Sequence, residues 1–200
     1  MLHIGSATSL IACIGSILFT MTLYKINVKL NPVIIGLGVN ILLILLLYGG
    51  SEIIGNVLEG LGRDSTLTGR TLIWDSLFEI IRQNALFGFG YDTFWTYNNY
   101  LRSQVAINVG GAHNGLIELV LNFGIIGTMW FLVLWINYGK QLNSLLIKKK
   151  TVMIFPFAYT ILLLIYIISE RTFYNSSYQT LIFVWCLIIV SKFYYTKEEN

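Results

Sequence analysis

The sequence predicts an all-α integral membrane protein, a bundle of about five transmembrane helices with one large extracytoplasmic loop that contains a short amphipathic helix. Three observations carry that reading. Hydrophobic residues make up 56% of the 200-residue chain and charged residues only 12%, against roughly 25% charged in a soluble domain. Mean hydropathy is +0.69, which also excludes disorder, since disordered chains are apolar-poor and charge-rich. The apolar residues are gathered into runs near the ~20 residues that cross a hydrocarbon core.

Taken in order, the runs are Ile4–Tyr24 and Val33–Gly50, both uncharged; Gly115–Tyr138, whose one charge is Glu118; Thr151–Ser169, uncharged; and Tyr178–Tyr195, where Lys192 is near enough to the end to snorkel. Tyr174, Tyr178, Tyr194 and Tyr195 fall where an interfacial aromatic belt is expected. The segments divide the chain into two spans over 1–50, a loop over 51–113, and three spans with a short tail over 114–200. Met-Leu-His lacks the basic start of a signal peptide, and no small-residue cleavage site follows the first run. Cys13 and Cys186 fall within spans as small apolar residues.

All eight lysines (25, 29, 140, 148, 149, 150, 192 and 197) lie in one set of connections, and all five arginines (63, 70, 82, 102 and 171) in the other. The positive-inside rule makes the lysine side and the C-terminus cytoplasmic and the long loop external. Inside bias plus chance explains the split; so does selection of arginine for its forked geometry towards phosphate or carboxylate. An odd span count with an outside start leads us to expect upstream helices, with this chain as the C-terminal part of a larger membrane domain.

The loop Ser51–Ala112 has 62 residues, six acids and four arginines, so any anion site in it must be local. Thr68 is the expected N-cap of a helix from Gly69 to about Gln83, with Ile73, Leu77, Ile80 and Ile81 on one face and Asp75, Glu79 and Arg82 on the other. Arg70 then falls in the first turn, where an anion could meet both the guanidinium and the helix start. In Phe87-Gly88-Phe89-Gly90-Tyr91-Asp92-Thr93-Phe94-Trp95, glycines alternate with rings. This reads either as an aromatic platform for sugar or lipid or as interfacial anchoring.

Gly110 and Gly111 give the backbone freedom to turn His113 towards the membrane surface. Histidine is the side chain able to exchange a proton near neutrality, and it is also common as a cap. Asn114, Glu118 and Asn122 draw a polar stripe down one helix face. A carboxylate in a bilayer helix costs roughly 2.5–3.5 kcal/mol, so it must face the bundle or a wet cavity, as a functional group or as interhelical glue. Gly124 and Gly127 permit close helix approach. No pair of carboxylates at acid/base spacing is evident, which disfavours a glycosidase.

These residues resemble a known family. Gly62-Arg63-Asp64-Ser65-Thr66-Leu67-Thr68-Gly69-Arg70-Thr71-Leu72-Ile73-Trp74 is similar to the outer-loop signature of the O-antigen ligase and polymerase family. His113-Asn114 followed by Gly124-Ile125-Ile126-Gly127 resembles its histidine motif, and Gly88-Phe89-Gly90-Tyr91 with Phe94-Trp95 its intervening segment. The likeness covers roughly residues 1–140. It implies a GT-C-like glycosyltransferase that moves a glycan from undecaprenyl diphosphate to an acceptor sugar hydroxyl on the outer face, with no metal and no cofactor. Carried over, Arg70 clamps the diphosphate, Arg63 is a second candidate and His113 acts on the acceptor. Trp74, Tyr91, Trp95, Asn114 and Glu118 complete the expected substrate-binding set.

The implied partners are the lipid-linked donor, a glycan acceptor, the bilayer and other polysaccharide assembly proteins, with no nucleic acid. High Ile, Asn, Lys and Tyr content hints at an AT-rich bacterial genome and favours a capsule or exopolysaccharide polymerase over a lipopolysaccharide ligase. The departure from the family is length, since members usually have about twice as many spans. The alternative is therefore a truncated, non-catalytic membrane subunit associated with polysaccharide export. A transporter ranks last, because Glu118 is nearly alone among intramembrane charges.

Overall fold

The structure is a computed structural model that describes residues 7–26, 31–49, 66–148, 150–169 and 178–196. Every regular element among the described residues is helical: α1 (Ala7–Ile26), α2 (Pro32–Gly49), α3 (Thr66–Gln83), α4 (Thr93–Tyr97), α5 (Asn99–Arg102), α6 (Gly115–Ile147), α7 (Ile154–Ser169) and α8 (Tyr178–Tyr195). Two of them, α6 and α8, are long and apolar enough to cross a membrane; Cys13–Lys25, Pro32–Leu42 and Thr151–Ile167 are shorter apolar helical stretches. Arg63, Arg171 and Tyr174 lie outside the described residues.

Two compact units emerge. One comprises residues 1–37, 133–165 and 178–200. Its core is Trp135, Tyr138, Leu142, Leu145, Met153, Phe157, Phe183 and Cys186, all buried. Phe183 makes T-shaped ring contacts with both Trp135 and Tyr138. Thr160 donates its hydroxyl to Pro156 O, so the 3.0 Å contact with Tyr138 Oη is a bond that the tyrosine donates. Asn31 starts α2, accepting from Val33 N and donating to Ile136 O. These burials explain why α6 runs to Ile147, nine residues past the expected Tyr138: the apolar stripe Leu142, Leu145 and Leu146 continues past Lys140, and burial of that stripe keeps the segment helical.

The second unit, residues 38–132 and 166–177, holds the loop. Its core joins Ile73, Trp74, Leu77, Ile80 and Ile81 of α3 to Phe94, Trp95, Val105, Ala112, Ile117 and Leu121. The expected amphipathic helix is present, with Asp75, Glu79 and Arg82 on its exposed side. Its start is corrected: α3 begins at Thr66, so Thr68 and Gly69 are helical and Arg70 falls in the second turn. The four unpaired N–H groups of a helix start belong to the first turn, so the dipole argument for Arg70 does not hold.

Candidate functional site

The centre of the loop unit is a helix that is interrupted where the loop enters it. Gly124, at φ 63° and ψ −171°, breaks α6. The carbonyls of Leu121 and Asn122, which an unbroken helix would offer to residues 125 and 126, instead accept from Phe89 N and Gly90 N, both at 2.9 Å. In return, Ile125 N donates to Ala85 O at 2.8 Å and Ile126 N to Leu86 O at 3.2 Å. Two intrahelical bonds are exchanged for four between loop and helix.

Only glycine permits this approach. A Cβ on Gly88, itself at φ 68°, would stand 2.5 Å from Gly124 N, and one on Gly124 would overlap the Leu86 carbonyl. The close approach expected at Gly124 is thus made by the loop rather than by a neighbouring helix. Asn84 Nδ2 donates to Gly88 O and closes the turn.

The polar stripe on α6 is the strip on which the loop docks. Asn114 caps the helix, its Oδ1 accepting from Leu116 N at 3.0 Å and Ile117 N at 3.2 Å. Glu118, 2% exposed, accepts from Ala112 N at 2.7 Å through Oε1 and from Trp95 Nε1 at 2.9 Å through Oε2. Both carboxyl oxygens are thus taken by donors from the loop, and the side chain lies in the first turns of the helix. Asn122 Oδ1 accepts from Asp92 N. Glu118 therefore binds loop groups, which is how a carboxylate is kept inside an apolar helix.

The expected aromatic platform divides. Phe87 and Tyr91 are exposed, and Tyr91 stacks on Phe123 with centroids 5.9 Å apart. Phe94 and Trp95 are in the core, edge to face at 4.9 Å. Trp74 is 1% exposed and donates Nε1 to Ala112 O at 2.9 Å. Trp74 and Trp95, expected on the substrate, thus have their rings buried and their indole N–H groups bonded within the protein. They position the segment that leads into His113.

His113 itself takes the left-handed backbone, φ 50°. The freedom expected of Gly110 and Gly111 is not used for this, since neither has a positive φ. A non-glycine residue in that region is uncommon and persists only where its surroundings impose it. They do so here, because Ala112 is held at both its N–H and its carbonyl and Asn114 is fixed as the cap. Arg70 lies one turn before Trp74, on the same face of α3, and Trp74 is bonded to the residue that precedes His113. Both Arg70 and His113 are half-buried. Among the described residues, no side-chain hydrogen bond or ion pair occupies either of them, and the one described ion pair is Arg82–Glu79. No cluster of three or more His, Cys, Asp or Glu suited to a metal occurs among the described residues.

Arg102 and its neighbours were not singled out by the sequence, although the polar run Asn98-Asn99 ahead of it is a visible signal. Arg102 donates Nη1 to Trp95 O at 3.3 Å and lines a cavity of about 390 Å³ with Asn99, Ser103, Val105 and Asn108.

Residues 1–132 match the family described as O-antigen ligase. The chain belongs to the O-antigen ligase family. The match takes in the whole loop, the histidine segment and the break in α6. With that family and two helices able to cross a bilayer, the chain is membrane-associated. It is also similar to the exopolysaccharide production protein ExoQ of Rhizobium meliloti (strain 1021), at 31% identity over 113 residues. That alignment covers 52% of this chain and 26% of the relative, so the chain spans about a quarter of the relative's length. No solved structure matches.

Proposed function

We propose that the chain carries the outer-face transfer site of a polysaccharide polymerase or ligase, moving a glycan from undecaprenyl diphosphate to an acceptor sugar hydroxyl. The loop is extracytoplasmic, the apolar helices form a five-span, GT-C-like bundle, and the lysine-bearing connections face the cytoplasm. Family membership supports the reaction class, and the ExoQ likeness favours exopolysaccharide over lipopolysaccharide.

The observation that supports the assignment is a guanidinium with no ion-pair partner among the described residues, one turn from the tryptophan that is tied to the residue before a conformationally imposed histidine. Arg70 has no carboxylate partner among the described residues, and Trp74, one turn on, is tied to the residue before His113. A half-buried guanidinium with no ion-pair partner among the described residues suits the diphosphate oxygens, which it grips in a fork. As the acceptor oxygen attacks the anomeric carbon, the sugar–phosphate bond breaks and its electron pair leaves on the diphosphate. Arg70 neutralises that charge, His113 takes the hydroxyl proton, and the reaction balances without a metal.

The test is polymer formation in a host deprived of its own enzyme, with the protein expressed from its natural gene. His113→Ala and Arg70→Ala are each expected to lower polymer by about a hundredfold or more, the usual scale for removing a proton acceptor or an electrostatic stabiliser. Native polymer levels with both variants would overturn the assignment and leave a non-catalytic membrane subunit.

A further inference from the structure

We propose that the cavity beside α5 is a sugar subsite that recognises a carboxylate-bearing saccharide, with Arg102 as the residue that reads the charge. The inference rests on the glycan-handling reading above, but it concerns a place in the loop distinct from Arg70 and His113. The cavity, about 390 Å³, has room for a sugar ring and is lined by Asn99, Arg102, Ser103, Val105 and Asn108. Arg102 is the one charged group in that lining, and it is half-buried. Its bond from Nη1 to Trp95 O orients the guanidinium and leaves the remaining donors of the fork available. No described carboxylate pairs with it.

The walls are fixed from several sides. Val105 is buried in the loop core, and Ala106 N donates to Ser76 Oγ of α3 at 3.1 Å. Asn98 Oδ1 accepts from Leu101 N, Arg102 N bonds Asn98 O, and Ser103 Oγ donates to Tyr100 O at 2.7 Å. The amides of Asn99 and Asn108 are exposed at the rim, and each can both donate to and accept from sugar hydroxyls. Tyr97 and Tyr100, 79% and 75% exposed on the same segment, offer ring faces with a polar tip. Amides, rings and one arginine form a chemistry for sugars, and the planar fork of the guanidinium matches the two oxygens of a sugar carboxylate. With an overall loop charge of −2, attraction to an anion must come from this local group.

The test is binding to the full-length protein purified in detergent, with trigalacturonate and neutral galactotriose as the probes. Trigalacturonate is expected to bind about tenfold or more tighter, the usual worth of a charged fork over a neutral hydrogen bond. Arg102→Gln should reduce it to the neutral probe's affinity, whereas Arg102→Lys should keep part of the preference. Asn108→Ala, which breaks no described bond, should weaken both probes several-fold and so guards against a folding artefact. Arg70→Ala should leave the preference intact, so this inference and the assignment of Arg70 and His113 can fail separately. Equal binding of the two probes, no binding of either, or a preference that survives Arg102→Gln overturns the proposal.

Discussion

Each unit is held together internally by its own kind of contact. In residues 1–37, 133–165 and 178–200 the contacts are mainly side chain on side chain, as where Trp135 and Tyr138 close on Phe183. The helical backbone there is satisfied by its own ladder. In residues 38–132 the decisive bonds join backbone to backbone and backbone to buried polar side chains, through Gly88, Gly124, Glu118 and Asn122. Packing tolerates substitutions that conserve volume, whereas a directed bond to a buried group costs its full desolvation penalty when one partner is removed. Small changes should therefore be far more damaging in the loop unit.

Glycine substitutions give the sharpest contrast. Gly88→Ala and Gly124→Ala each place a Cβ into backbone at a positive φ. Each is expected to destabilise the loop unit by about 3 kcal/mol or more, read as a fall in unfolding midpoint in detergent and new proteolysis between residues 84 and 93. Gly15→Ala, with nothing within 4 Å of the new methyl, should be neutral or stabilise by up to about 1 kcal/mol through helix propensity. Equal effects at Gly15 and Gly124 would erase the contrast.

Next comes Glu118→Leu, which leaves Ala112 N and Trp95 Nε1 without this acceptor. About 3 kcal/mol is expected, together with a change in tryptophan emission; Glu118→Gln, which keeps one acceptor oxygen, should cost about half of that. The smallest effect belongs to Arg82→Ala. Its bond to Glu79 is 2.6 Å long but largely exposed, so less than about 0.5 kcal/mol should be lost. A larger loss would mean that the outer face of α3 is covered.

The same contrast accounts for how much the sequence disclosed. The ends of α2 and α8 and the start of α6 follow from the limits of the apolar runs and agree with the structure to within about a residue, and the two faces of α3 follow from apolar periodicity. The long end of α6 was missed because Leu142, Leu145 and Leu146 are buried beyond Lys140, where the uncharged run stops. In the loop, the residue types were legible but their roles were not. Glu118 read equally as functional group or glue until its two donors, Ala112 N and Trp95 Nε1, were placed beside it. Trp95 looked like a surface ring because alternating glycines give no direction to the chain. The turn of His113 towards the surface was expected from the freedom of Gly110 and Gly111, whereas the left-handed backbone falls on the histidine itself, beside the fixed bonds of Ala112.

The interruption of α6 also bears on how the protein is made. A segment containing residues 115–132 that left the ribosome and entered lipid by itself would close the bonds from Leu121 O to Ile125 N and from Asn122 O to Ile126 N within the helix, because hydrocarbon tolerates bare backbone groups poorly. The partners for those groups, residues 85–90, are synthesised earlier. They take over when the loop docks, so the break at Gly124 belongs to the assembled loop unit and not to the helix by itself.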